Sequence, residues 1–396
     1  MIALGHLGYD SASQPWTSAD TIANFSGLDA FIDGHSHSTV EGEVVADKDG
    51  NEVLLTQTGE YFDRIGLMVI DSETGEITTD FIEYAEILEN VNDENGNAVL
   101  DEDGEQVTEV IGYDFVSELY TGTSWCSDAE VSAMKTAWIE EIDDQLGTVI
   151  GSTSLTFDNY NGEDRLVRKQ ETNTGDFAAD ALYYLFDNMG LDVDVAIMNG
   201  GGIRNQAITG DISYKTCKEI HTFGNVACLQ TITGQQLLDA LEWGARSAGT
   251  DEECGGFLQV SGITYQIDTE WPESTQKDDK GIWIGSPTGG YRVHNVMVYN
   301  KETNTYEPLD LEATYNLAGY NYTLREMGDG FNMFSGAVNV LDYVMEDYMV
   351  LANYIQAFEN GTIEAANSPL STKYEGFILD YSTVDGSGRI TMTDTE

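Results

Sequence analysis

The first third of the chain alternates short apolar runs with turn residues. Apolar and β-branched runs broken by dipeptides such as Asp49-Gly50 and Thr74-Gly75 are typical of short strands. This pattern occupies residues 1–4, 28–38, 41–61 and 64–84. It predicts the trailing edge of a β-sandwich. The first run has no turn or cap before it, which is an unusual start for a domain.

The segment from Ser127 to Gly147 has apolar residues at helical spacing. They are Val131, Met134, Trp138, Ile142 and Leu146. Acidic residues near its start suit the N-terminus of a helix. The pattern predicts an amphipathic connector helix that ends at Gly147.

An acidic, turn-rich segment at residues 88–125 precedes this helix. DENGN at 93–97 and DEDGE at 101–105 share the pattern DxxG with DKDGN at 47–51. A calcium loop needs oxygen ligands spread through a loop of about twelve residues closed by Glu. Hydrophobic alternation resumes too soon for that, so hairpin turns are the favoured interpretation.

Strands and helices alternate after residue 148. The stretch at 171–190 predicts a helix capped at Asn173 or Thr174 and stopped by Gly190. A buried strand at 192–199 leads into the glycine loop NGGGIR, and a capping box from Thr233 to Gln236 begins another helix. We therefore predict a mixed α/β (α+β) chain. The expected divisions are a first domain at 1–126, a connector at 127–147 and a second domain at 148–396.

The charge balance excludes some functions. Seventeen Lys and Arg against seventy Asp and Glu give a net charge of −53, which disfavours nucleic acid and anionic membranes as partners. No apolar run reaches the roughly 18 residues of a membrane span. The cysteines at 126, 217, 228 and 254 lack CxxC spacing, which argues against a zinc-thiolate site. One disulfide between two of them is possible, but the spacing favours unpaired, buried thiols.

Three of the five histidines, His6, His35 and His37, follow apolar runs beside or near glycine. A single histidine is more often structural than a ligand. Two histidines two residues apart on one loop, as in GHSH, can serve two neighbouring metal ions. The sequence therefore predicts these three side chains as metal ligands.

The motifs carry a family resemblance that runs from Met1 to about Ile390. IALGHLG followed by DGHSH resembles the last two metal-ligand blocks of the calcineurin-like metallophosphoesterases. The stretches VRKQETNTGDFAADA, NGGGIR, TFGN, GGFLQVSG and MGDGF, in that order, resemble the C-terminal domain of the 5′-nucleotidase and UDP-sugar hydrolase family. The resemblance implies hydrolysis of nucleotide phosphate esters with two divalent metal ions, such as Zn or Mn. His6 and His35 would bind one ion and His37 the other.

The substrate residues are expected in the second domain. Arg168 and Arg204 offer planar donors for phosphate or ribose oxygens, and Asn199 offers an amide to the nucleoside. The glycine loop is neither a P-loop nor a Rossmann fingerprint. Arg165 is either a second phosphate contact or part of a surface ion pair.

The resemblance implies further roles for two aromatic residues and one carboxylate. Phe223 and Tyr322 would sandwich the base, and Asp329 would accept ribose hydroxyls. The segment from Asn321 to Asp329 is one residue longer than the common pattern, so we assign the second ring to Tyr322 rather than to Thr323. The alternative for each ring is an ordinary core position.

The sequence also departs from the family. The blocks DxH, GDxxD and GNHE, which supply the remaining ligands there, do not occur in this chain. We therefore expect them upstream of Met1, and we expect negligible phosphatase activity from this chain alone. The alternatives are a 2′,3′-cyclic nucleotide phosphodiesterase and a non-catalytic nucleoside-binding module. Family members usually carry an export signal, which implies an extracellular or cell-surface location.

Overall fold

A computed structural model of the chain describes residues 1–10, 13, 16–60, 62–92, 98–99, 106–124, 129–162 and 164–393. The chain divides into two compact units, Met1–Trp138 and Ile139–Glu396. The division falls inside the helix that the sequence predicts as the connector. The predicted domain boundaries stay a prediction.

The first unit begins with a four-stranded sheet. Its elements are β1 (Ile2–Leu4), α1 (Ser18–Asn24), β2 (Ala30–Ile32), β3 (Thr39–Ala46) and β4 (Glu52–Thr58). The strand order is β1-β2-β4-β3, and β1 runs parallel to β2. Leu4 lies opposite Ile32, so the loops after these two strands leave the sheet at the same edge.

A second sheet of the first unit is an antiparallel meander. It contains β5 (Arg64–Ile70), β6 (Ile77–Asn90), β7 (Thr108–Val116) and β8 (Thr121–Ser124). The turns predicted at Asp49-Gly50 and Thr74-Gly75 are confirmed, since each lies between two paired antiparallel strands. Those predicted at 93–97 and 101–105 lie outside the described residues, as does the start of the connector at 127–128. The described helix is α2 (Ala129–Leu146).

The second unit is built on a central five-stranded sheet with the order β15-β12-β21-β14-β22. The strands of this unit are β9 (Val149–Phe157), β10 (Tyr160–Asn161), β11 (Asp164–Arg165), β12 (Val195–Asn199), β13 (Ile208–Ser213), β14 (Ala227–Thr233), β15 (Leu258–Ser261), β16 (Ile263–Asp268), β17 (Gln276–Lys277), β18 (Trp283–Gly285), β19 (Val293–Asn300), β20 (Thr305–Pro308), β21 (Thr314–Tyr320), β22 (Val338–Leu341), β23 (Thr362–Ile363) and β24 (Ile390–Thr393). Its helices are α3 (Asn173–Asn188), α4 (Tyr214–Ile220), α5 (Gly234–Gly244), α6 (Asn321–Leu324), α7 (Asp347–Ala357) and α8 (Pro369–Lys373). Two smaller sheets, β13-β9-β23 and β20-β19-β16-β24, lie in the same unit. The predicted mixed α/β class is confirmed.

The helix starts show where local sequence decides the structure. The capping box at the start of α5 is confirmed, because Thr233 and Gln236 bond reciprocally. The predicted cap of α3 is wrong by one or two residues: Thr172 is the N-cap, and its hydroxyl accepts a hydrogen bond from the backbone N–H of Gly175. The Asn173 amide instead donates to the carbonyls of Thr156 and Tyr381. Gly190, with a φ of 75°, follows the end of α3 as predicted.

Most of the apolar core lies in the second unit, in two large clusters. Cys217, Cys228 and Cys254 are buried and unpaired, as the sequence predicts, while Cys126 lies outside the described residues. No helix within the described ranges is both long enough and apolar enough to cross a membrane.

Candidate functional site

The glycine loop after β12 fits tightly against the turn that carries Arg168. A Cβ atom at Gly200 would lie 2.2 Å from the carbonyl oxygen of Val167, so a side chain there would collide with backbone. On the other side, the Gly201 N–H donates to the carbonyl of Gly255 at 2.7 Å. The absence of side chains therefore lets three backbone segments meet beside Asn199.

Asp329 accepts hydrogen bonds from two of the other predicted substrate residues, Asn199 and Tyr322. Its Oδ2 accepts a hydrogen bond from the Asn199 amide at 3.3 Å, and its Oδ1 accepts one from the Tyr322 hydroxyl at 3.1 Å. Its backbone has a φ of 53°, in the left-handed region. The indole N–H of Trp243 donates to the Asp329 carbonyl at 2.8 Å and helps to hold this conformation.

Tyr322 lies on α6 and is partly buried. The backbone of Gly328 packs against its ring, because a Cβ at that glycine would lie 2.3 Å from the ring carbon Cζ. Burial and the charge of Asp329 raise the pKa of Tyr322 above its ordinary value. The phenol therefore stays protonated and acts as a hydrogen-bond donor to the carboxylate.

Arg168 ends a short 3₁₀ turn, Leu166–Arg168, and its side chain is mostly buried. Its Nη1 lies 3.4 Å from the Oε2 of Glu253. Its Nε is buried and has no hydrogen-bond partner among the described residues. Burial and the nearby Arg165 guanidinium lower the pKa of Arg168, although an arginine remains charged in either case. The site therefore holds a cation with an unused donor.

Arg204 and Phe223 form a second pair. The Arg204 guanidinium carbon lies 5.0 Å from the centroid of the Phe223 ring, and its Nε donates to the carbonyl of Gly201 at 2.8 Å. Phe223 is 57% exposed, so the ring is open to a ligand. The loop that carries it is anchored, because the Asn225 N–H donates to Asp347 Oδ2 at 2.8 Å.

Buried His221 also fixes the start of this loop. Its Nδ1 lies 3.1 Å from the carbonyl oxygen of Gly202, which joins the aromatic loop to the glycine loop. Its Nε2 is buried and has no hydrogen-bond partner among the residues described. Burial lowers the pKa of His221, so the imidazole is neutral near pH 7.

The histidine loops of the first unit are held by Asp33. Its two oxygens accept the backbone N–H groups of Leu7 at 2.8 Å and Gly8 at 3.1 Å. The rings of His6 and His35 lie edge to face with centroids 5.1 Å apart. His35 has a φ of 84°, which a residue other than glycine rarely adopts.

The structure does not join His37 to the other two histidines. Its Nδ1 contacts the Glu60 carboxylate, and its own backbone also has a positive φ, 57°. Within the described part of the chain, no group of three or more His, Cys, Asp and Glu is arranged to hold a metal ion. His6 and His35 therefore supply two neighbouring imidazoles, and the three-histidine assignment stays a prediction.

Two residues of the site were missed in the sequence. Trp243 belongs to the apolar stripe of α5, so nothing in the pattern shows that its N–H supports Asp329. Glu253 precedes the motif GGFLQVSG in one of many acidic stretches. Its contact with Arg168 spans 85 residues of sequence and has no local signal.

The part of the chain that carries this site resembles a known family. Residues 149–336 match the family model described as 5′-nucleotidase, C-terminal domain. All six predicted substrate residues, from Arg168 to Asp329, lie within the matched range.

Relatives extend the similarity over most of the chain. The trifunctional nucleotide phosphoesterase protein YfkN of Bacillus subtilis is 24% identical over 388 residues, which cover 96% of this chain and 22% of that protein. A cell wall protein of Listeria monocytogenes is 26% identical over 302 residues, which cover 73% of this chain and 35% of that protein.

One solved structure has a similar fold that extends beyond residues 149–336. The 5′-nucleotidase precursor from Thermus thermophilus aligns with a TM-score of 0.54 and 23% identity over 95% of this chain and 61% of that one. The chain thus spans less than two thirds of each of these three proteins.

Proposed function

We propose that this chain binds the nucleoside part of a nucleotide and supplies the substrate-binding domain of a phosphohydrolase of the 5′-nucleotidase and UDP-sugar hydrolase type. The observation that carries the proposal is the hydrogen-bonded group of Asn199, Tyr322 and Asp329 inside the matched domain. Arg168 lies close enough for the Asp329 charge to act on its pKa. A carboxylate beside a buried cation suits a ligand that carries both hydroxyl groups and a phosphate.

Asp329 has the capacity to bind a ribose. An ionised carboxylate offers about four acceptor positions, and the Asn199 amide and the Tyr322 hydroxyl use two of them. The remaining positions suit two adjacent ribose hydroxyls. Because Tyr322 is a donor, it orients the carboxylate and does not compete for those hydroxyls.

Phe223 offers the stacking face for the base. Its exposed ring is covered in part by the Arg204 guanidinium. A base that stacks on this ring would share the contact with Arg204, whose guanidinium could then reach an oxygen of the ligand. Stacking tolerates any base, which suits an enzyme of broad nucleotide range.

The histidine loops fit a metal-dependent activity only in part. His6 and His35 would hold one of two divalent ions, such as Zn or Mn, and His37 would contact the other. When bound, such ions supply an activated water and neutralise charge on the phosphoryl oxygens. Among the described residues, Asp33 positions these histidine ligands, because its hydrogen bonds fix the backbone that carries His6 and His35. An extracellular or cell-surface location belongs to the same proposal and is supported by the cell wall relative.

Calorimetric titration of adenosine into wild type and Asp329→Asn tests the proposal. We expect wild type to bind adenosine and Asp329→Asn to bind it roughly 10- to 100-fold more weakly, since hydrogen bonds to a charged group are lost. Asp211→Asn, at an exposed position of β13, removes the same charge elsewhere and should leave the affinity unchanged. Equal affinity in wild type and Asp329→Asn would refute the assignment.

A further inference from the structure

Glu253 contacts both Arg165 and Arg168. Its Oε2 is 3.4 Å from Arg168 Nη1, and its Oε1 accepts a hydrogen bond from the backbone N–H of Arg165 at 2.9 Å. The next residue, Cys254, donates its N–H to the carbonyl of Arg168 at 3.1 Å. The carboxylate is therefore held against the turn from both its side chain and its backbone.

Only part of the Arg168 guanidinium contacts Glu253. Nη1 faces Glu253, while the buried Nε has no hydrogen-bond partner among the residues that the structure describes. The side chains of Arg168 and Glu253 are 17% and 28% exposed, so their charges interact through partly desolvated surroundings. Asp329 adds a second negative charge that acts on the same guanidinium.

We propose that Glu253 is a specificity-determining residue that competes with the phosphate of a nucleotide for Arg168. This inference rests on the proposed function. A phosphate monoester carries close to two negative charges near pH 7 and must approach a guanidinium that already faces a carboxylate. Repulsion between the two anions lowers the affinity for dianionic monoesters. Uncharged nucleosides and monoanionic phosphodiesters are affected less, so Glu253 narrows the difference in affinity between nucleotide and nucleoside.

A positioning role for Glu253 makes the opposite prediction. If the carboxylate served to hold Arg168 in place for the ligand, its removal would weaken phosphate binding. If it competes with the ligand, its removal strengthens phosphate binding. The sign of the change in affinity therefore separates the two roles.

Calorimetry on the full chain, with wild type, Glu253→Gln and Glu252→Gln, measures that sign. The probes are adenosine, AMP and inorganic phosphate. We expect Glu253→Gln to bind AMP and phosphate roughly three- to tenfold more tightly than wild type and to bind adenosine equally well. Glu252→Gln removes the same charge at the adjacent exposed position, and we expect no change from it. Glu253→Ala should repeat the gain, which guards against a variant that folds poorly.

Several outcomes overturn the inference. AMP binding that is weaker or unchanged in both Glu253 variants excludes competition. An equal gain in AMP affinity in Glu252→Gln would show that the effect comes from the net charge of the chain and not from Glu253. Failure of the proposed function looks different, since wild type would then not bind adenosine. In that case a gain in phosphate affinity in Glu253→Gln would still support competition at Arg168. Adenosine binding with no gain for phosphate or AMP would reject the role of Glu253 alone.

Discussion

The candidate functional residues lie on two sets of loops, and the apolar cores that support these two sets differ in size. The histidine loops of Met1–Trp138 lie over a small core of Ile22, Phe31, Val53 and Leu55. The loops that carry Asn199, Phe223 and Asp329 lie in Ile139–Glu396, whose two apolar clusters include the fully buried side chains of Tyr183, Phe186, Trp243, Phe257 and Phe331.

The two sets of loops are therefore held in place by different forces. A fully buried large apolar side chain contributes roughly 1.5 to 3 kcal/mol to stability. Many such residues support the substrate loops. The histidine loops depend more on a few polar contacts at Asp33 and Gln57, and a typical hydrogen bond contributes about 1 kcal/mol net. We therefore expect the nucleoside site to keep its shape without help from the histidine loops.

The largest effect is expected from the buried ion pair of the second unit. Arg389 donates from Nη1 and Nη2 to the two oxygens of Asp180, each at 2.8 Å, and both side chains are buried. Arg389→Met would leave the buried Asp180 without its cation, at a cost of about 3 to 5 kcal/mol in the free energy of unfolding. Urea denaturation followed by circular dichroism measures this cost.

A surface cation provides the control for that experiment. Lys215→Met removes a charge from an exposed pair with Asp143 and should change the urea midpoint little. If Arg389→Met costs no more than this control, then the buried pair does not stabilise the second unit as we infer.

A smaller effect, confined to the first unit, is expected from Asp33→Ala. The change leaves the N–H groups of Leu7 and Gly8 without their acceptor, at a local cost of about 1 to 3 kcal/mol. Hydrogen exchange should accelerate at residues 6–9, while adenosine affinity stays at the wild-type value. Asp49→Ala, on the exposed turn between β3 and β4, serves as the control. Loss of adenosine binding in Asp33→Ala would show that the two sets of loops are not independent.

The last effect depends on pH and concerns Asp176. Burial, opposed by Arg389 and reinforced by the charges of Glu171 and Asp180, raises the pKa of Asp176. A raised carboxyl pKa means that the folded chain binds more protons than the unfolded chain, so stability falls as pH rises above the ordinary value of about 3.9. The loss is about 1.4 kcal/mol for each unit by which the pKa is raised, and it ends once pH exceeds the folded pKa.

Asp176→Asn isolates this contribution. The amide mimics the protonated acid, so the variant should melt at a higher temperature than wild type near pH 8 and should lose this advantage near pH 4. Melting temperatures across that range test the sign. A variant that is less stable than wild type at pH 8 would show that Asp176 is ionised in the folded chain.

Local rules predicted some elements and failed at others for identifiable reasons. The start of α5 was predictable because Thr233 and Gln236 bond to each other across one helical turn. The cap of α3 was predicted at Asn173 or Thr174, whereas it is Thr172. Tertiary contacts take Asn173 out of that role, since its amide donates to two distant carbonyls.

The candidate site shows the same division between local and distant information. The pairing of His6 with His35 follows from two parallel strands that end at the same edge of a sheet. The contact of His37 with Glu60 and that of Arg168 with Glu253 depend on how separate segments pack. No spacing or composition in the sequence encodes those contacts, so only the folded structure shows them.

The most direct test of the central claim is adenosine binding to the 396-residue chain with and without a metal chelator, in wild type and in Phe223→Ala. If the substrate domain binds the nucleoside on its own scaffold, the calorimetric dissociation constant is the same with and without EDTA. We also expect an affinity roughly 5- to 100-fold weaker in Phe223→Ala, because a stacked ring contributes about 1 to 3 kcal/mol. Adenosine binding that requires metal, or that is equal in wild type and Phe223→Ala, would contradict these expectations.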